Sequence, residues 1–315
     1  MKKIVFMGTP DFAVGTLQAL LDSKYQVQAV FTQPDKPKGR GGSVQMPPVK
    51  ELALKAQIPV HQPRRIRDPE NLEILKEYQP DAIVVVAFGQ IIPEEILNLP
   101  PYGCINVHAS LLPKYRGAAP IQWAVINGER ESGVTTMRMD AGLDTGDMIL
   151  KERVPLARDE TGGSLFEKLS RVGADLLIRT LEALEDGTAQ LEKQPAKSPT
   201  PYAGMLKKEM GLIDWSRDAA SIECLIRGLN PWPSAYTRYR GKMLKIWAAQ
   251  VENQTEAPGD VRPGTVLEVG KKTLKIQTGS GILSVKELQL EGKKRMETDA
   301  FLRGVRMEQG ELLGE

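Results

Sequence analysis

Two histidines occur in 315 residues. One of them, His108, lies in the stretch INVHASLLPKYRGAAPIQ at 105–122, two residues after Asn106. The apolar run over 103–108 predicts a strand, and residues i and i+2 of a strand share a face. An amide and an imidazole on one face can both donate to one oxygen. That pairing suits a carbonyl that becomes an oxyanion as a nucleophile adds to it. A buried polar pair satisfied by backbone fits the same local pattern. A second segment, VTTMRMDAGLDTGD at 134–147, adds Asp140, Asp144 and Asp147 in a glycine-punctuated loop after another strand-like run. A loop carboxylate beside a histidine holds its tautomer and stabilises the imidazolium. A solvated turn is the plainer alternative for three acids in a loop.

Other chemistries lack their residues. The acids are too few and wrongly spaced for an EF-hand, and Cys104 and Cys224 are too far apart for a zinc-type pair. No metal site is expected. The first turn, Gly8-Thr9-Pro10, is not the glycine-rich loop of a dinucleotide fold, and no Walker A sequence occurs. Ser110 can share the face of His108, but no nucleophile elbow surrounds it. Cys104, among apolar neighbours, reads as a buried and inert thiol. His61 has no acidic neighbour and reads as structural or surface. With neither nucleophile nor metal, direct attack of a bound substrate on a bound donor is the simplest chemistry.

The elements that must position these residues follow from periodicity. Over residues 1–189 strand-like and helix-like segments alternate, including the doubly apolar AIVVVA at 82–87 and a long helix at 164–185 striped by Leu165, Leu169, Leu176 and Leu177. This predicts a Rossmann-like, doubly wound, mostly parallel α/β sheet, which binds ligands at the carboxyl ends of its strands. Asn106 and His108 fall at such an end. The pattern dissolves over 190–208, which reads as a linker. Short alternating runs then dominate 209–315, apart from one helix, and predict a small β-barrel. The length suits two domains. A net charge of +2 announces no polybasic tail. No apolar run approaches the roughly 18–20 residues of a membrane span. The apolar run of MKKIVFMGTPDFAV ends in a turn, as a first strand does and a signal peptide does not. With two cysteines, a reducing cytoplasm is the expected home.

Asn106-x-His108, SLLPKYRGAAPIQWAVINGE and TTMRMDAGLDTGDM, with the opening IVFMGTPDFAV and the later YAGMLKKEMGLIDW and IRGLNPWPSAYT, resemble the folate-dependent formyltransferases. The similarity runs essentially the full length, and within the family it is to the members that act on methionyl-tRNA. The resemblance implies a formyl donor, 10-formyltetrahydrofolate, and an acceptor, the α-amino group of methionine on initiator tRNA, giving formylmethionyl-tRNA for translation initiation. It implies a catalytic trio of Asn106, His108 and Asp144, with Asn106 and His108 stabilising the oxyanion and Asp144 supporting His108. Folate contacts are implied at Phe88, Gly89, Gln90, Ile91, Ile92 and Pro93, and at Ser110, Leu111, Leu112 and Pro113. The loop at 33–48 corresponds to a tRNA-contacting insertion, with Lys38 and Arg40 as basic residues. Lys207, Lys208 and an OB-like C-terminal barrel at 209–315 are implied to contact tRNA. The NPWPS run at 230–234 either packs against a domain or stacks a base. A monomer without membrane contact is expected. The nearest rival is a sister enzyme that formylates an amino sugar nucleotide, which has no use for the GRGG insertion and the basic linker. Arg116 receives no chemical role.

Overall fold

Apolar runs bounded by turn residues become strands. In chain order these are β1 (Lys3–Gly8), β2 (Gln26–Phe31), β3 (Lys36–Lys38), β4 (Ser43–Gln45), β5 (Val60–His61), β6 (Ala82–Val86), β7 (Cys104–His108), β8 (Glu131–Arg138) and β9 (Met148–Pro155). β3 and β4 form a separate two-stranded ribbon, inside the loop expected at 33–48. The rest form one seven-stranded sheet in the order β5-β2-β1-β6-β7-β8-β9. The first five of these are parallel, and β8 runs antiparallel to both its neighbours, β7 and β9. The computed structural model describes residues 1–38, 43–252 and 261–314. It divides into one unit of Met1–Pro120, Glu131–Pro155 and Phe166–Ala203, and a second of Ile121–Arg130, Leu156–Leu165 and Gly204–Glu315.

Helices cover both faces of the large sheet, which explains the uninterrupted apolar sequence of β6. α1 (Asp11–Leu21) and α2 (Pro48–Lys55) are followed by α3 (Pro69–Tyr78) and α4 (Glu94–Leu97), which pack Leu75, Ile96 and Leu97 against Val5, Met7, Ile83, Val85 and Cys104. α5 (Pro120–Ile126) is short, and α6 (Gly162–Glu185) is the longest helix among the described residues. α6 lies on the opposite face, where a Cβ on Gly173 would come 3.0 Å from Val107. Phe12 of α1 meets Phe166 of α6 edge to face at 5.4 Å. Alternation along β7 therefore turns Val107 to α6, and Asn106 and His108 to the other face. Gly8 serves packing in the first turn. A Cβ there would sit 2.7 Å from the Phe6 ring and 2.9 Å from Ala13.

Residues 190–203, within the stretch expected to be a linker, run back over the first unit. Glu192 and Met148 exchange two backbone hydrogen bonds of 2.8 Å, and Ala203 bonds to the backbone of Arg116, Ala118 and Ala119.

In the second unit α7 (Ala219–Gly228) precedes β10 (Ala235–Tyr239), β11 (Lys242–Val251), β12 (Val266–Val269), β13 (Leu274–Gln277), β14 (Ile282–Leu290), β15 (Met296–Glu297) and α8 (Thr298–Gly304). Asp218 caps α7 by accepting the Ser221 N–H at 2.8 Å. The strands form an antiparallel sheet in the order β10-β11-β14-β13-β12, with β15 on β14. Register shifts along β11 at 246–249 mark bulges, which raise a strand's local twist. Trp215, Ile222, Ile226, Leu244, Ile276, Leu283 and Phe301 fill its core.

Candidate active site

His108 ends β7 and is 6% exposed. Its Nε2 lies 3.0 Å from the carbonyl oxygen of Tyr115. A carbonyl can only accept, so Nε2 carries the proton and donates. The ring's other nitrogen, Nδ1, faces Asp144, with Oδ2 at 3.7 Å. That gap is wider than a hydrogen bond. Bonds of this kind often close only when substrate is present. Asn106 stands one step back on the same face, abreast of Val85 of β6. It is half-buried, and its side-chain amide makes no hydrogen bond to another described residue.

Of the three loop acids only Asp144 reaches the histidine. Asp140 closes its own turn, accepting from Gly142 N–H at 3.0 Å and the Thr145 hydroxyl at 2.7 Å. Asp144 accepts the Gly117 N–H at 2.8 Å through the same oxygen that faces His108. Asp144 and Tyr115 both adopt left-handed backbone, with φ of 53° and 57°. Such geometry costs a side-chain-bearing residue of order 1–3 kcal/mol and persists where surroundings enforce it, often at functional sites.

The loop from Ser110 to Pro113 is braced from within. The Ser110 hydroxyl donates to Lys114 O at 2.7 Å, so it is spent on the turn. Leu112 packs with Met137 and Met148, and its N–H donates to the Thr135 hydroxyl at 3.1 Å. Leu111 lies over Gly133, where a Cβ would approach it to 2.5 Å. A cavity of about 320 Å³ opens beside Leu111, Pro113 and Lys114.

The loop after β6 has the opposite economy. Phe88 and Ile92 point into the core. Gln90 clamps residues 63–66, accepting from Ile66 N–H at 2.6 Å and donating to Pro63 O at 3.0 Å. Ile91, 89% exposed, leaves its side chain outside. Ala87 and Gly89 take positive φ, 47° and 82°. The Phe88 carbonyl accepts from the Thr9 hydroxyl and the Gln33 amide, both at 3.1 Å. Apart from Ile91, the larger side chains of residues 88–92 are thus committed to the protein's own packing and hydrogen bonds.

Cys104 is fully buried, its Sγ 3.6 Å from Ile96 O, and burial pushes its thiol up to about 12. It is the inert thiol expected. Among the expected tRNA contacts, Lys207 and Lys208 are exposed at a 3-10 turn, Lys208–Gly211. Lys38 ends β3, and Arg40 lies outside the described residues. Trp232 of the NPWPS run is 54% exposed. No group of three or more His, Cys, Asp or Glu that could hold a metal ion occurs among the described residues. No described helix is long and apolar enough to cross a membrane.

Two residues at the site escaped sequence reasoning. Arg116 is 1% exposed and donates to Gln194 Oε1 at 3.0 Å, Pro195 O at 2.8 Å and Ala196 O at 3.4 Å. Gln194 in turn donates to the carbonyls of Asp144 and Gly146 at 2.9 and 2.7 Å. The only sequence signal was negative: an arginine and a glutamine in stretches without period.

The "Formyl transferase" family model matches residues 1–181, and "Formyl transferase, C-terminal domain" matches residues 205–306. The chain is 57% identical over 308 residues to a methionyl-tRNA formyltransferase of Agathobacter rectalis, covering 98% of each. It is 58% identical over 318 residues to one of Lachnospira eligens, covering 99% of this chain and 100% of the relative. Among solved structures it is similar to an N-formyltransferase of Helicobacter canadensis in complex with folinic acid and dTDP-3-aminofucose, with TM-score 0.67 and 21% identity, over 90% of this chain and 99% of that one. It is also similar to HypX of Aquifex aeolicus in complex with tetrahydrofolic acid, with TM-score 0.62 and 18% identity, over 99% of this chain and 50% of that one. At such identities the structural likeness speaks to fold alone.

Proposed function

The chain belongs to the methionyl-tRNA formyltransferase family, and from that premise we propose that its donor is 10-formyltetrahydrofolate and that the end of β7 carries the chemistry. It is an enzyme of translation initiation that moves a formyl group to methionyl-tRNA. The acceptor is the methionine α-amino group of the initiator species, and the cytoplasm is where the reaction takes place. The single observation that carries the site assignment is the convergence of Asn106, His108 and Asp144 at one strand end, with the Asn106 amide unspent.

The donor supplies a formyl group activated by its attachment to nitrogen. Main chain of residues 88–93 and the 110–113 turn would hold it, since their side chains are largely committed to the protein's own packing. Asn106 donates to the carbonyl oxygen as charge develops there. His108 has already spent Nε2–H on Tyr115 O, so the nitrogen left for the reaction is Nδ1. Both ring nitrogens carry protons only in the imidazolium, and Asp144 supports that form electrostatically. An α-amino group, with a reference pKa of about 8, is partly neutral near pH 7 and needs little help from a base.

Lys38, Arg40, Lys207 and Lys208, with the second unit, contact the tRNA. The whole-length likeness to methionyl-tRNA enzymes supports this acceptor over an amino sugar nucleotide. The test offers the enzyme 10-formyltetrahydrofolate with either charged initiator tRNA or an amino sugar nucleotide. Turnover with the tRNA alone is expected, and turnover with the sugar alone overturns the acceptor. Arg40→Leu is expected to raise KM for charged tRNA and leave KM for folate unchanged. A change confined to folate refutes the loop's role.

A further inference from the structure

The three residues 115–117 touch both members of the His108–Asp144 pair. Tyr115 gives its carbonyl to His108 Nε2, and Gly117 gives its N–H to Asp144 Oδ2. Between them stands Arg116, its guanidinium buried and donating only outward, to Gln194, Pro195 and Ala196. The bond to Arg116 fixes which way the Gln194 amide points. Its oxygen faces the guanidinium, so its NH₂ must face the carbonyls of Asp144 and Gly146. The turn is fastened at both ends as well. Tyr115 N–H donates to the Thr200 hydroxyl at 2.7 Å, and Ala203 N–H donates to Arg116 O at 2.7 Å. At Gly117, φ is 118° and a Cβ would lie 2.8 Å from Ala203 O, so the segment at 203 seats directly on the turn.

We infer that Arg116 and Gln194 are positioning residues for the transfer: through residues 194–203 they set how Asp144 faces His108. This rests on the reading that the pair is catalytic. The charge of Arg116 is what the arrangement needs. Hydrogen bonds from a charged donor are stronger than those from a neutral one. Three of them can hold two left-handed residues, Tyr115 and Asp144, in place. Asp144 is gripped at its carbonyl by Gln194 and at its carboxylate by Gly117. Losing either grip lets the left-handed backbone relax and the carboxylate leave the histidine.

The experiment uses the full chain. Gln194→Met keeps the side chain's length and removes both amide functions. Its expected phenotype is a fall in kcat of about tenfold to a hundredfold, the scale of a misplacement of about 1 Å, with KM for donor and for charged tRNA unchanged. Arg116→Lys keeps the charge but gathers into one ammonium the donors that Nε, Nη1 and Nη2 now spread over three acceptors, and is expected to follow it. Each is then combined with Asp144→Asn. Residues acting through Asp144 add little once its charge is gone, so the double variants should match Asp144→Asn alone within about twofold. Full kcat in Gln194→Met, beside an impaired Asp144→Asn, overturns the inference and leaves the site reading intact. So do losses that multiply in the double variants. Wild-type kcat in Asp144→Asn overturns the site reading itself.

Discussion

His61 ends β5 at one edge of the seven-stranded sheet, and His108 ends β7, with β8 and β9 beyond it. Both are imidazoles at the carboxyl ends of parallel strands, where ligands of such sheets bind. Their neighbours differ in kind. His61 stacks on Phe31 with ring centres 4.8 Å apart, and its Nε2 meets the Tyr78 hydroxyl at 2.9 Å. No carboxylate faces it among the described residues. A hydroxyl can donate or accept, so it leaves the His61 tautomer unfixed. His108 meets a carbonyl, which dictates the tautomer, and has a carboxylate 3.7 Å from its other nitrogen. Position in the fold makes a histidine available for chemistry; the hydrogen-bond partner on its far nitrogen decides which atom is available.

The largest test of that contrast is removal of each ring. His108→Ala and Asn106→Ala are each expected to lower kcat by about 10²–10³, the usual cost of losing an oxyanion donor, with tRNA binding retained. His61→Ala is expected to leave kcat unchanged. Wild-type turnover in His108→Ala, measured under saturating donor and acceptor, breaks the contrast outright. Next in size is stability. His61→Ala forfeits a stacked pair and a side-chain hydrogen bond, together about 1–2 kcal/mol by denaturant titration. Tyr78→Phe removes the hydrogen bond alone and is expected to cost about 1 kcal/mol.

The smallest effect is in pH. Burial holds His61 below the ordinary imidazole range, so the unfolded chain takes up its proton first. The stability owed to the neutral ring is therefore complete above about pH 6.5 and is withdrawn as pH falls through the lower folded value. Melting temperature compared at pH 7 and pH 5 should show a drop that shrinks in His61→Phe. An identical drop in both removes His61 from the acid response.

Much of this was legible in sequence. The doubly apolar β6 and the leucine stripe of α6 declare themselves because each is buried along a repeating face. Asn106 and His108 share a face by the two-residue period of a strand. The β3–β4 ribbon was hidden by the proline, glycine and lysine around it, which mark a loop whether or not its edges pair. Arg116 and Gln194 were hidden for another reason. Their bond joins residues 78 apart, and no local period records a partner at that distance. The helix-less stretch that contains Gln194 looked like a tether for want of pattern, yet its hydrogen bonds run to Asp144, Pro113 and Arg116.

The path of residues 190–203 bears on how the molecule can be dissected. A truncated protein ending at residue 189, where helical periodicity gives out, would be made without Gln194, Thr200 and Ala203. Arg116 would then lose its three acceptors and stand as a bare cation in a hollow, and the turn beneath it would lose its fastening. A cut placed after Ala203 keeps every one of these partners. Anyone dissecting the molecule should count those fourteen residues as part of the first unit.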